Sequence, residues 1–191
     1  MKTFLTLIAA AGLSGTGLAA PVIAQMAPAS PEQCLHVRTS FDFVVHAPYS
    51  VTAPLFGPEG ERAWAGKHWD PEFIFPKPAR PQTPSDVEGA VFTVRHGPLS
   101  AVWVNTLFDM DARHFQYVYF LPGLMVTVID VRFTPVRADA TGVNVVYTRT
   151  AVAPEGNEHV TAMSEGDKTA GKEWQEAIDG YLAHSKSSLK P

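Results

Sequence analysis

Seven histidines are the side chains best suited to bind a metal ion or to transfer a proton at neutral pH. Their spacing predicts no metal site, because no two of them stand four residues apart or in a His-x-His pair. The chain also lacks a Gly-x-Ser-x-Gly nucleophile elbow and a glycine pattern that would cradle phosphates. We therefore expect neither a metal nor another cofactor. The histidines are His36, His46, His68, His96, His114, His159 and His184.

A dense polar group between residues 61 and 72 is the best place for acid–base chemistry. Glu61 becomes a candidate catalytic acid or base if burial raises its pKa toward neutrality. The alternative that we favour is structural: Glu61 ties two short helices to a backbone amide or to Arg62 and Lys67, while Trp64 and Trp69 close one end of the domain. The group comprises Glu61, Arg62, Lys67, His68, Asp70 and Glu72.

The N-terminal segment predicts export. Lys2 precedes an apolar stretch at 4–13 and small residues that follow it, and cleavage fits best after Ala24. The stretch is short for the ~20 residues that a membrane span needs, so we expect a cleaved signal peptide at 1–24 and a periplasmic or secreted protein. Residues 25–33 are then a flexible segment. Cys34, the single cysteine, is expected to be a small buried hydrophobe, with intermolecular pairing as the alternative.

Composition limits the classes of function. Of 191 residues, 46% are apolar and 18% are charged, which is too apolar for a disordered chain. The net charge of −4 argues against a protein whose main partner is a nucleic acid. The length without the leader suits one domain, and we expect no membrane span in the mature chain.

The elements that must position these residues begin with an antiparallel sheet. Apolar residues alternate in one strand before Pro48 and, after a Pro-rich loop at 76–88, in a series joined by short turns. Such connections indicate a meander, since parallel crossovers need a dozen or more residues. The predicted strands are 35–45, 72–75, 90–95, 101–108, 115–120, 125–133 and 143–152. On the sixth of them, Asp130 and Arg132 are expected to face outward from the convex side.

Two helical regions complete the pattern. Short turns are predicted at 48–56 and 60–64, because Pro54 and Pro58 exclude one long helix. From 164 to 183 apolar residues recur at helical spacing, and Ser164 with Asp167 resembles a helix start. This helix must cover an apolar surface, and the sheet is the only large one. Its polar side is expected to carry Lys172, Glu173, Gln175, Glu176 and Asp179.

This order of elements resembles the START-like or SRPBCC superfamily, which includes polyketide cyclases and lipid-transfer domains. The likeness extends over nearly all of 35–185. Its most specific part is Gly60-Glu61 followed by Trp64 and by Trp69-Asp70-Pro71, which is similar to a bacterial branch of the group. The resemblance implies an α+β domain at 34–186 with the helix-grip fold: a curved antiparallel sheet of about seven strands, two short helices after the first strand, and a long C-terminal helix on the concave face.

The resemblance also implies a cavity between the sheet and the helix, where apolar ligands commonly bind. We expect an exported carrier of one small apolar molecule, such as a lipid, a quinone or an aromatic metabolite, and no nucleic-acid partner; the sequence carries no signal for an oligomeric state. The alternative is a cofactor-independent cyclase or dehydratase that uses acid–base residues of the cavity. Each apolar stripe fits ordinary core packing as well. The candidate lining residues are Phe115, Tyr117, Tyr119, Ile129, Val131, Phe133, Val145, Tyr147, Trp174 and Ile178.

Overall fold

The computed structural model describes residues 33–77 and 85–188. The predicted signal peptide at 1–24 and nearly all of the predicted flexible segment lie outside the described residues, as does the centre of the Pro-rich loop. Cys34 is half-buried against the core.

Seven strands and three helices form the described part of the chain. The connection from the first strand to the second contains the two short helices with a 3-10 turn between them, at Ala53–Phe56. The strands are β1 His36–Val45, β2 Glu72–Phe75, β3 Val91–His96, β4 Leu99–Asp109, β5 His114–Leu121, β6 Met125–Arg137 and β7 Ala140–Ala151. The helices are α1 Tyr49–Thr52, α2 Pro58–Glu61 and α3 Gly156–Ser188.

The strands make one antiparallel sheet in the order β1-β7-β6-β5-β4-β3-β2. The long helix α3 packs on this sheet, mainly against β1. The α+β helix-grip architecture expected from the sequence is therefore confirmed. Because β1 and β2 lie at opposite edges, the chain between them must cross the whole sheet, and it does so through α1 and α2.

Side chains alternate between the two faces of the sheet, as strand geometry requires. On β6, Ile129 and Val131 are buried, whereas Asp130 and Arg132 face the other way. Asp130 pairs there with His114 at 2.6 Å and with the Arg132 guanidinium at 3.1 Å. The outward orientation expected for Asp130 and Arg132 is the one observed.

Helix α3 begins eight residues before the predicted start, so the interpretation of Ser164 and Asp167 as a helix start is wrong. Both residues lie within the helix, past its first two turns, and their side chains are buried. Asp167 accepts two hydrogen bonds from the Arg149 guanidinium on β7, one of them at 2.9 Å. A short polar side chain that looks like a cap in the sequence is thus the helix's anchor to the sheet.

The polar side of α3 also differs from the prediction at two positions. Gln175 accepts a hydrogen bond from the Val44 amide at 3.5 Å, and Asp179 accepts one from the His46 amide at 3.1 Å. These side chains face the end of β1, because β1 is an edge strand with amides that no neighbouring strand satisfies.

The hairpin between β6 and β7 is tighter than predicted. The expected break at 138–142 shrinks to two residues, since β6 continues to Arg137 and β7 begins at Ala140. Pairing of Pro135 with Thr141 extends the ladder.

We expect Asp167→Asn to lower the free energy of unfolding by about 3–5 kcal/mol, because it leaves the Arg149 charge buried without a counter-charge. The two side chains of this pair are only 5% and 9% exposed. Urea unfolding measures the loss. The matched control is Glu165→Gln on the same helix, which breaks the exposed pair with Lys168 and should change stability by no more than about 0.5 kcal/mol. Equal effects of the two variants would contradict the anchoring role of Asp167.

Candidate functional site

The segment around α2 is held in place by close backbone approaches at two glycines. A Cβ on Gly57 would lie 2.2 Å from the Asp86 carboxylate, and a Cβ on Gly60 would lie 1.8 Å from the Pro54 carbonyl oxygen. Asp86 accepts hydrogen bonds from the amides of Glu59 at 2.9 Å and Gly60 at 3.4 Å. Asp86 therefore fixes α2, in the role that the structural interpretation gave to Glu61.

A cavity of about 320 Å³ lies between the sheet, α3 and the α2 segment. This volume is at the lower end of the range of small-molecule sites. Eight aromatic side chains and several aliphatic ones supply most of its wall. The lining residues are Phe56, Pro58, Glu61, Trp64, Ala65, His68, Trp69, Phe92, Trp103, Tyr117, Ile129, Val131, Tyr147, Glu173, Trp174 and Ala177.

All four tryptophans of the chain line this cavity. Trp64 and Trp174 meet edge to face with ring centroids 5.3 Å apart, and Trp69 and Trp103 do the same at 5.3 Å. The Trp64 indole N–H donates to the Leu55 carbonyl at 2.7 Å, and the Trp69 indole N–H donates to that of Pro58 at 2.8 Å. Since backbone carbonyls take these two donors, the indoles offer the cavity apolar ring surface.

Glu61 supplies a carboxylate to this aromatic wall. Within residues 33–77 and 85–188, no hydrogen bond or ion pair involves its side chain. The neighbouring Arg62 pairs instead with Glu59, at 3.0 Å, and with Asp70. The structural role expected for Glu61 is thus not observed in the described residues.

Burial, and secondarily the Asp86 carboxylate, raises the pKa of Glu61 well above its usual value of 4.5. The Glu61 carboxylate also interacts electrostatically with two tyrosine hydroxyls. Burial is the main cause that raises the pKa of Tyr117 and of Tyr147, and the charge of Glu61 is the second. The Tyr117 hydroxyl donates to the Phe56 carbonyl at 2.5 Å. The site therefore holds a carboxyl group that binds a proton more readily than an exposed glutamate does.

Acidic side chains outnumber basic ones among the described residues of the wall. Glu61 and Glu173 line the cavity, with His68 also on the wall, and none of its described lining residues is a lysine or an arginine. Lys67, Asp70 and Glu72 lie outside, in a polar groove that shares His68 with the cavity.

Five of the ten candidate lining residues reach the cavity: Tyr117, Ile129, Val131, Tyr147 and Trp174. The other five are buried in the core without lining it: Phe115, Tyr119, Phe133, Val145 and Ile178. Phe115, for example, stacks on Phe108 with ring centroids 4.1 Å apart.

Sequence reasoning missed Phe92 and Trp103, which form the wall on β3 and β4. Their rings stack with centroids 5.9 Å apart. The signal that points to Trp103 is that it is one of only four tryptophans in the chain and lies on a predicted strand; no comparable signal points to Phe92. Asp86 was also missed, because its partners lie 26 and 27 residues away in the chain.

Two negative observations apply to the described residues only. No group of three histidine, cysteine, aspartate or glutamate side chains is arranged to hold a metal ion. No helix in residues 33–77 and 85–188 is both long enough and apolar enough to cross a bilayer.

Solved structures share this architecture at low sequence identity. Norcoclaurine synthase from Thalictrum flavum is similar over 91% of this chain and 99% of that one, with a TM-score of 0.57 and 13% identity. XoxI from Bacillus cereus is similar over 74% and 95%, with a TM-score of 0.55 and 12% identity. The di-domain ARO/CYC protein BexL from the BE-7585A biosynthetic pathway is similar over 77% and 46%, with a TM-score of 0.54 and 12% identity.

No protein-family model and no curated protein sequence matches the chain. The structural likeness shows the fold: the chain has the helix-grip fold that its sequence resemblance implied. A fold shared at this level of identity does not establish a function, so function must be argued from the site.

We expect Glu61→Gln to stabilise the protein at neutral pH and not at acid pH. The folded-state pKa of Glu61 lies above its usual value of 4.5, so the folded protein binds this proton more tightly than the unfolded chain does. The free energy of unfolding of the wild type therefore falls as the pH rises from 4.5 through the folded-state pKa of Glu61. Glutamine resembles the protonated acid at every pH, so the variant should gain about 1.4 kcal/mol on the wild type for each pH unit inside this window.

Urea unfolding of both proteins from about pH 4 to about pH 8 measures this difference. The pKa of Asp86 is raised chiefly by its own burial, which the substitution leaves in place in both proteins. Glu155→Gln, at an exposed position outside the cavity, should stay within about 0.5 kcal/mol of the wild type. A constant difference across the pH range would mean that Glu61 is not the group responsible.

Proposed function

We propose that this protein is exported and that it carries a small apolar molecule, with an aromatic or planar body, in the cavity between the sheet and α3. The observation that carries the proposal is the wall itself. Eight aromatic side chains, including every tryptophan of the chain, surround about 320 Å³ of space. Burying the faces of such rings against an apolar ligand removes a large area of both from water, which favours binding.

The fold supports a carrier because it leaves this space open. Small-molecule sites are mostly apolar cavities in which a few polar groups fix the ligand's orientation. Glu61, Tyr117 and Tyr147 are placed for that role. Export is supported by the sequence, in which Lys2 and the apolar stretch at 4–13 precede the favoured cleavage point after Ala24.

Native mass spectrometry of the protein purified from its exported fraction tests both parts of this proposal. The polypeptide should have the mass of a chain that begins at Gln25, and a small molecule should accompany it and be lost on denaturation. Ala177→Phe places a ring at the cavity wall and should reduce the bound fraction about tenfold, because it fills part of the ligand's volume.

Ala183→Phe is the matched control, since Ala183 is an exposed alanine on the same helix that does not line the cavity. It should leave the bound fraction unchanged. An uncleaved chain in the exported fraction would contradict the predicted leader. A ligand that Ala177→Phe and Ala183→Phe retain equally would contradict the cavity as its site.

A second candidate function is a cofactor-independent cyclase or dehydratase in which Glu61 transfers a proton. The observation that favours it is a carboxyl group with a raised pKa on an aromatic cavity wall, because a general acid needs a pKa near the working pH. In a dehydration, this acid would protonate a leaving hydroxyl, and the carboxylate formed would accept a proton from the neighbouring carbon, with loss of one water.

Glu61→Gln separates the two functions, because glutamine keeps the shape of the side chain and cannot release a proton. A carrier should hold the same molecule in the wild type and in the variant, although the bound fraction can differ. An enzyme should hold an unconverted substrate in the variant, heavier by one water than the wild-type product if the reaction is a dehydration. Mass spectrometry of the small molecules released from the two proteins decides between these outcomes.

A further inference from the structure

The described wall of the aromatic cavity holds more acidic than basic side chains. Glu61 and Glu173 line it, and no lysine or arginine is among its described lining residues. Burial of a carboxylate without a partner is unfavourable. The aromatic wall adds to the imbalance, because the face of an aromatic ring is electrostatically negative and attracts cations.

The groups around Glu61 leave this imbalance in place. Asp86, in the segment before β3, is a second acid and is bound to the amides of α2. On α2 and just after it, Glu59 and Arg62 pair with each other at 3.0 Å, and Arg62 also contacts Asp70 and the Pro71 carbonyl.

The described cavity-lining side chains of the sheet and α3 supply no counter-charge either. Tyr117 on β5 donates its hydroxyl hydrogen to Phe56, and Tyr147 on β7 places its ring beneath the Arg149 guanidinium, 4.2 Å from its centroid. Arg149 itself is bound to Asp167. Glu173 on α3 is a further acidic side chain, and both Glu173 and His68 are exposed at the rim.

We propose that the ligand is an apolar ammonium: a protonated amine on an apolar or aromatic body, with its nitrogen beside Glu61 and its body against the tryptophan rings. This inference rests on the proposed function, and it narrows the ligand class from any apolar molecule to a cationic one. An ammonium group gives Glu61 the partner that it lacks and takes up the cation–π attraction of the wall. A neutral ligand leaves the carboxyl group unpaired, and a carboxylate ligand is repelled by it.

Binding of such a ligand is coupled to a proton. In the empty site, burial raises the pKa of Glu61 well above its usual value of 4.5, whereas a bound ammonium favours the carboxylate and lowers that pKa. Each binding event therefore releases a proton over the pH range between the bound-state and free-state pKa values, and affinity rises with pH across that range. Above the free-state pKa the affinity is constant until the amine itself loses its proton.

Three probes with one phenyl ring and a four-carbon chain test the charge preference: phenylbutylamine, phenylbutanol and phenylbutyrate. Quenching of the fluorescence of the four tryptophans measures the affinity of the mature protein for each probe at about pH 7.5. We expect the amine to bind about tenfold more tightly than the alcohol, and the carboxylate to bind more weakly than both. Glu61→Gln should lower the amine's affinity about tenfold and leave that of the alcohol nearly unchanged.

Glu176→Gln is the matched control, because Glu176 is an exposed acid on α3 outside the cavity; it should change none of the three affinities. Calorimetry of the unaltered protein with phenylbutylamine at about pH 6, in two buffers with different ionisation enthalpies, should show proton release. This second measurement needs no variant, so it tests the proposal independently of Glu61→Gln.

The outcomes distinguish a failure of the ammonium inference from a failure of the proposed carrier function. If the alcohol binds as tightly as the amine, or if the amine's advantage survives Glu61→Gln, the ammonium inference is wrong and the apolar carrier stands. Tighter binding of phenylbutyrate would also overturn it, and would indicate that the carboxylate binds near Lys67 and Arg95 in the adjoining groove. Failure of all three probes to bind would overturn the carrier function itself.

Discussion

The crossing from β1 to β2 is the constraint on which the rest of the structure depends. These two strands lie at opposite edges of a seven-stranded sheet, so the chain must travel roughly 28 Å, six inter-strand spacings, before it can pair again. The connecting segment contains α1 and α2. Glu61, Trp64 and Trp69 lie in or just after α2, so the connection that the topology demands also supplies part of the cavity wall.

The cavity persists because α3 is anchored to one side of the sheet. The Arg149–Asp167 pair binds the helix to β7, and Gln175 and Asp179 accept hydrogen bonds from the end of β1. Packing at this side leaves space under the helix toward β3, β4 and β5. Rigid, wide aromatic rings border that space, since they cannot fold inward to fill it as flexible aliphatic chains do.

Glu61 has a central role in both proposed functions of this site, the carrier of a cationic ligand and the acid–base enzyme. A carboxyl group with a raised pKa on an aromatic wall can transfer a proton or can pair with a cation, and which of these it does depends on the ligand that enters. Both uses depend on the same feature, which is that Arg62 is held by Glu59 and Asp70. If Arg62 turned toward Glu61 instead, it would neutralise the carboxylate and lower its pKa.

The sequence by itself determined the order and type of the elements, because alternation, helical spacing, proline and glycine are local signals. It placed Tyr117, Ile129 and Val131 on inward positions for the same reason. Only the tertiary structure decided which inward residues line space and which fill the core, since that depends on where α3 lies across the sheet. It also decided the partners of charged residues: Asp167 became an anchor and Glu61 was left without a partner in the described residues, because ion pairs form between positions that are distant in the chain.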